Sequence, residues 1–476
     1  MSAEIVTPSP VALASPARRS ITIAAVALGG FVVSLAQTLI VPALPYLPAA
    51  LDTTADAVQW MLTATLLVGA VAVPVLTRLG DLAGKRRILL IALAAMVVGA
   101  VICGVSDDIA WQIAGRAVQG ASSAVVPLGI ALLAGILPAD RSAGAVALIS
   151  ATTAIGGVVG LPMSALVIEL LDFHALFWII GAVALAAFIA IGVLVPEDAS
   201  RAVGRLDGIG VVMLSAGLAA LMLGMSQGSA WGWGSPSIVL LLVAAALLLV
   251  VFGAWQLRST SPLVDIRQLR RRPVLFTNIA GLFTGFSLFA VTIGTISYLQ
   301  APEVTGYGFG LSMTEASLVM LPGGLGVVAL VPLSAIAVRR IGAHRVLAVG
   351  AGVVALSWVL RILLTETFWE VFVAATISGI GIGISMAAMP ALVNSLAPRD
   401  QLAAANGING LLRTIGSSLA SALGGSILAA SVLVLGPVVV PTLEAFQLLF
   451  LVCAISSMVA MGAALLAGER VTRAEP

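Results

Sequence analysis

Twenty of the 23 basic residues in this 476-residue chain fall in every second gap between long apolar stretches. The basic gaps hold Arg18 and Arg19; Arg78 with Lys85, Arg86 and Arg87; Arg141; Arg201 and Arg205; and a run from Arg258 to Arg272. Arg339, Arg340 and Arg345 follow, then Arg399, then Arg470 and Arg473. The intervening gaps, such as GSAWGWGSPS and APEVTGYGFGLS, carry acids or no charge. Loops rich in Lys and Arg stay on the cytoplasmic side, so the alternation counts the membrane crossings and orients them. Eight basic segments, the two ends included, separated by seven non-basic turns predict fourteen spans with both termini inside. The pattern describes an all-α polytopic protein of the inner (plasma) membrane.

Composition agrees with a lipid environment. The chain is 60% hydrophobic and 9% charged, far below the roughly one-quarter charged residues of a soluble protein. The charge is sorted by side rather than pooled, which gives no basic face for nucleic acid. Cys103 and Cys453 both lie in apolar runs, far apart in sequence, and form neither a disulfide framework nor a metal motif. No soluble segment is long enough for a nucleotide-binding domain, so no cofactor and no ATPase partner are expected. The partners expected are lipid and a small-molecule substrate.

A span needs about 20 apolar residues. That length places helices at 20–47, 57–77, 88–106, 109–136, 143–170 and 174–196, a first six-helix bundle over 20–196. A pair at 206–227 and 236–257 lies within 204–257. A second bundle over 274–467 has helices at 274–300, 313–338, 346–364, 368–395, 401–433 and 443–467. The Pro/Ser/Ala-rich residues 1–19 read as a disordered cytoplasmic end, 258–273 as a cytoplasmic hinge and 468–476 as a cytoplasmic tail. An internal repeat supports two halves. TRLGDLAGKRRIL at 77–89 matches AIAVRRIGAHRVL at 335–347, aligning Gly84 with Gly342 and Arg87 with Arg345 at a shift of 258 residues. LPADR near Pro138 matches APRDQ near Pro398 at a shift of 260. Both matches sit in basic loops, so the halves are parallel, an architecture that places substrate between them near the midplane.

Four segments carry chemistry. In the 77–87 loop, Gly84 permits a tight turn, Lys85, Arg86 and Arg87 suit an anionic inner surface, and Asp81 can cap the positive end of a helix from the other half. In GRAVQGASSAVVP, Arg116, Gln119, Ser123 and Pro127 share one face. An Arg within a span costs about 2.5–3.5 kcal/mol on the insertion scale and marks a functional position by default. In GGVVGLPMSALV, Gly156 and Gly160 permit close helix packing ahead of Pro162. On the penultimate helix Asn406, Asn409, Arg413, Ser417 and Ser421 form one polar stripe, facing a partner or water rather than lipid. Asn278 and Asn394 add polar side chains on neighbouring helices.

Together these residues resemble the major facilitator superfamily, specifically its fourteen-span drug:proton antiporter branch. TRLGDLAGKRR is similar to that family's loop between helices 2 and 3, with Thr77 where the first Gly stands and Leu82 where an Arg usually follows the Asp. The resemblance implies a major facilitator fold of six, two and six helices, with Asp81, Gly84, Lys85, Arg86 and Arg87 as a cytoplasmic gate. It ties Arg116 to proton coupling and Gly156, Gly160 and Pro162 to the antiporter motif of helix 5. Two departures matter. The helix-5 motif lacks its final glycines, and LAQTLIVPALP has Ala36 where the branch carries a membrane-embedded Asp. The substrate and proton pathway is then expected along Gln37, Arg116, Gln119, Asn278, Asn394, Asn409 and Arg413, with Arg116 and Arg413 as its in-span charges. The function implied is proton-coupled export of amphipathic drugs or secreted metabolites. Import of a small polar or anionic solute and a non-transporting receptor or assembly role are the alternatives, and no enzyme activity is expected.

Overall fold

The computed structural model describes residues 16–44, 46–198, 201–202, 204–364, 366–398, 401–435 and 438–468. The chain is almost entirely helical, as a bilayer demands, because only a helix satisfies every backbone polar group within one segment. The first half comprises α1 (Pro16–Thr38), a short α2 (Leu47–Ala50), α3 (Ala55–Ala83), α4 (Lys85–Val105), α5 (Ile109–Gly120), α6 (Val125–Ile136), α7 (Ala139–Leu170) and α8 (His174–Leu194). Next come α9 (Gly208–Trp231), α10 (Pro236–Arg258) and the four-residue α11 (Ile266–Leu269). The second half is α12 (Arg272–Gln300), α13 (Met313–Leu318), α14 (Leu321–Ile341), α15 (Ala343–Leu363), α16 (Phe368–Leu396), α17 (Leu402–Ala430) and α18 (Leu443–Gly468).

Among the described residues twelve helices are long and apolar enough to cross a membrane, and thirteen if α7, bent by 41° between Gly157 and Pro162, counts as one span. The 21-residue α14 occupies the place of the tenth expected span. Several segments differ from the sequence reading. Helix α1 begins at Pro16, inside the stretch expected to be disordered, with Pro at a first-turn position where its missing N–H costs nothing. The first expected span, 20–47, ends as a regular helix at Thr38 because Pro42, in the 3-10 turn Val41–Ala43, cannot continue it. The span at 109–136 is α5 and α6 joined by a 3-10 turn at Ala121–Ala124. The β-branched run after α17 forms an antiparallel hairpin, β1 (Val432–Leu435) with β2 (Val438–Pro441), that the sequence reading missed. The N-terminal 15 residues and residues 469–476, read as disordered end and tail, lie outside the described residues.

The two halves pack alike. In the first, α1 contacts α7 and α8, α4 contacts α5 and α8, and α3 contacts α5. In the second, α12 contacts α17 and α18, α15 contacts α16 and α18, and α14 contacts α16. Each contact maps onto its counterpart when α1 is matched to α12, α3 to α14 and so on through α8 and α18. The interface obeys the same exchange, since α3 meets α17 and α7 meets α14. One apolar cluster fills the first half, and it takes in Leu402 and Ala403 from the start of α17. Two fill the second half, with Val41 of the first packed against one of them. A fourth joins α9 to both halves through Ala70, Leu218, Met222 and Leu411. The inserted pair thus lies along the α3–α17 side of the interface.

Candidate functional site

The α3–α4 turn is built around Gly84. Its φ of +113° is open to glycine and strained for other residues, and an added Cβ would stand 2.9 Å from Glu197 Oε2. One turn earlier, the fully buried Asp81 carries the contact between the halves. Its Oδ2 accepts the main-chain N–H of Ala404 at 2.9 Å. Ala404 is the third residue of α17, and Gln401, at the N-cap, makes no side-chain cap of its own. A carboxylate of the first half therefore supplies the acceptor that the exposed N–H groups of a second-half helix require, where the positive end of the helix dipole also favours an anion. Thr77, at the family motif's first Gly position, lies directly against Gly407 of α17.

The basic residues beside Asp81 do not act as one cluster. Lys85 is fully buried, with Nζ 2.8 Å from Asp198 Oδ2 and 3.7 Å from Asp81 Oδ1. Arg86 donates its main-chain N–H to Glu197 Oε1 at 3.0 Å, and its guanidinium turns to the carbonyls of Ile191 and Gly192. Arg87 is exposed. The expectation that all three face the inner membrane surface is corrected for Lys85 and Arg86. Asp198 draws Lys85 inward, because a buried ammonium is tolerated only with a close counter-charge, whereas the Arg86 guanidinium is held by carbonyls at the end of α8. Glu197 and Asp198 escaped the sequence reading, although PED directly after an apolar run was a visible signal. Beside the turn, Arg78 borders a cavity of about 230 Å³ shared with Asn278, Gln268 and Gln401.

Deeper in the first half, Arg116 is 1% exposed. Its Nη1 donates to Gln119 Oε1 at 2.7 Å and to the main-chain carbonyl of Ala36 at 3.2 Å. The residue that replaces the branch's Asp thus still meets Arg116, through a backbone dipole instead of a carboxylate. Gln37 is exposed and stands apart from this pair. Gly156 and Gly160 lie where α7 crosses α1: an added Cβ would run into the carbonyl of Phe31 at the first and into Thr38 Oγ1 at the second. Pro162 follows at the bend of α7. The degraded motif keeps its packing consequence.

In the second half the polar stripe is largely self-paired. Asn409 donates to Asn278 Oδ1 at 3.2 Å, and Asn406 donates to Asn394 Oδ1 at 2.6 Å. Arg413 is partly buried, with Nη1 3.4 Å from Met386 Sδ, and Ser417 donates to the carbonyl of Gly285 at 2.9 Å. The structure therefore brings together Arg116 with Gln119, Asn278 with Asn409 and Asn394 with Asn406. It does not bring Gln37 to any of them. The sequence reading also passed over a third in-span cation. Arg361 of α15 is 1% exposed and bonded to Thr295. Its signal was an Arg inside an otherwise apolar run. No carboxylate pairs with Arg116 or Arg361 among the described residues.

Comparison with known proteins fits this arrangement. A tetracenomycin C resistance and export protein of Streptomyces glaucescens is 28% identical over 86% of this chain and 76% of its own length. A uridine/deoxyuridine transporter of Lactococcus lactis subsp. cremoris (strain MG1363) is 28% identical over 82% of this chain and 83% of its own. An uncharacterized MFS-type transporter of Mycobacterium tuberculosis (strain CDC 1551 / Oshkosh) is 28% identical over 87% of this chain, which spans 60% of that relative's length. In fold the chain is similar to the human organic anion transporter MFSD10 (TETRAN), with a TM-score of 0.66 at 15% identity, covering 94% of this chain and 99% of that one. The sequence profile of the Major Facilitator Superfamily matches residues 26–310 and 282–476, and the chain belongs to that family of multi-pass membrane transporters.

Proposed function

We propose that this transporter exports amphipathic small molecules, drugs or secreted metabolites, from the cytoplasm by alternating access coupled to protons. In this reading fourteen spans cross the inner (plasma) membrane as six, two and six helices, with both ends cytoplasmic. The observation that carries it is the bond from Asp81 to Ala404. It ties the halves at the end bearing most of the basic residues, so an outward-open state keeps this latch and an inward-open state breaks it. Substrate moves along Gln37, Arg116, Gln119, Asn278, Asn394, Asn409 and Arg413. The in-span charges Arg116 and Arg413 make the pathway positive, so neutral and anionic amphipaths are handled better than dicationic dyes. The relative named for tetracenomycin export supports the direction.

The test is substrate flux in proteoliposomes and accumulation in cells lacking or overproducing the protein. Asp81→Asn is expected to keep expression and orientation while slowing efflux, since acids contribute little to orientation. Normal efflux by this variant removes the latch. Single cysteines at Ser235 and Thr305 are expected to react with an impermeant thiol reagent from outside and one at His344 from inside only; the opposite pattern inverts the topology. Import of a small polar solute is the second reading, favoured by the relative named as a uridine/deoxyuridine transporter. Uptake of labelled nucleoside above background, with no drug efflux, would select it.

A further inference from the structure

Arg361 lies in the last turn of α15, at the end remote from the α14–α15 basic turn, with its charge enclosed by aromatic rings. Its guanidinium carbon sits 4.4 Å from the centre of Phe450 and 5.5–5.7 Å from those of Trp358 and Tyr298. All three rings are 0% exposed. A ring face attracts a cation but accepts none of the in-plane N–H groups, and a buried donor without an acceptor is costly. One edge is met, since Nη1 donates to Thr295 Oγ1 at 2.6 Å. The other is not. Among the described residues Nε and Nη2 both have no hydrogen-bond partner, and neither does the indole Nε1 of Trp358, one helical turn away.

Nε and Nη2 share one side of the planar guanidinium and form the two-pronged edge that grips a single acceptor. Arg116 differs in degree: its Nη1 reaches both Gln119 and the carbonyl of Ala36, and of its guanidinium nitrogens only Nε is a buried donor without a partner among the described residues. Around Arg361 the donors outnumber the acceptors and carry a net positive charge with no carboxylate. The enclosing side chains leave the site closed, which selects a compact ligand over a substrate-sized carboxylate.

We propose that Arg361, Trp358 and Thr295 form a binding site for a small monovalent anion, chloride in the cell, which neutralises the buried guanidinium and ties α12, α15 and α18 together. The test uses the purified full-length protein in detergent without substrate, melted across a chloride series with gluconate as the replacement at constant ionic strength. A ligand that binds only the folded state raises the melting temperature in a saturable way. The expected result is a saturable rise with chloride and with bromide, absent in gluconate. Arg361→Lys keeps the charge but loses the forked edge, and is expected to abolish the response. Trp358→Phe keeps the ring packing and loses one donor, and is expected to raise the chloride midpoint by about tenfold. Superimposable melting curves in chloride and gluconate overturn the proposal. So does a chloride response whose midpoint is unchanged in Trp358→Phe, the variant that decides should Arg361→Lys fail to fold. The readout needs no transport, so it stands or falls apart from the export reading.

Discussion

The turns after α3 and after α14 are the two copies of one repeated element, and they have become different devices. Each ends a helix at a glycine with positive φ, +113° at Gly84 and +87° at Gly342, and starts the next helix at once. In the first copy Asp81 and Lys85 are fully buried among the acids after α8 and the start of α17. In the second copy the position of Asp81 is held by Arg339, and Arg339, Arg340 and Arg345 are all exposed. The backbone geometry is shared because a helix–glycine–helix corner is a local property. The electrostatics are not shared, because they depend on which distant segment arrives underneath. A basic loop in this fold can therefore be either a solvated topology signal or a charge-compensated contact between halves.

Removing Lys85 gives the largest expected asymmetry. Lys85→Met removes the buried ammonium between Asp198 and Asp81 and is expected to destabilise the protein by about 3–5 kcal/mol, the usual effect of breaking a buried ion pair at one partner. A melting temperature equal to wild type would return the first turn to the class of the second. Alanine at the two glycines separates them next. Gly342→Ala meets backbone strain of about 1–2 kcal/mol and only the movable ring of His344. Gly84→Ala adds a collision with the Glu197 carboxylate, itself held by the Arg86 amide, and should be the more destabilising in a paired thermal-melt comparison. Equal losses would mean that the acids beneath Gly84 move freely.

Asp81→Ala is a smaller but more informative change. Losing a cap on the first turn of α17 is expected to weaken inner closure by about 1–2 kcal/mol. The fraction of protein labelled from the cytoplasmic side at a single cysteine replacing the buried Val393, near the end of α16, reports that shift; unchanged labelling would break the link between cap and closure. At the bottom of the scale, Arg345→Gln is expected to stay within about 0.5 kcal/mol of wild type, as for an exposed side chain remote from buried features. A loss of several kcal/mol there would show that the second turn, too, has a buried partner.

Much of the fold was legible because its signals are local. Apolar length marks the helices, and Gly84 and Gly342 mark matching corners. Gly156 and Gly160 announce a close crossing. The candidate site was legible only in part. Asp81 as an acceptor for a helix of the other half followed from helix electrostatics, but its partner at Ala404 lies 323 residues away. Lys85 looked like a surface cation because nothing within its own loop reveals that Asp198, 113 residues on, closes over it. Arg361 was passed over because the aromatic rings that make its burial tolerable come from three helices, and only Trp358 is on its own.

By itself the sequence determined that this chain lives in a bilayer, that it is built of long helices in two repeated halves, and that matching glycine corners stand at Gly84 and Gly342. These follow from transfer free energies and backbone sterics, which each segment satisfies with its own residues. Only the tertiary structure decided which polar groups face one another. It paired Asn278 with Asn409 and Asn394 with Asn406, set Arg116 against the carbonyl of Ala36, and left one edge of Arg361 without an acceptor. A buried polar group takes its energy from the partner it finds, and in a helical bundle that partner comes from another helix.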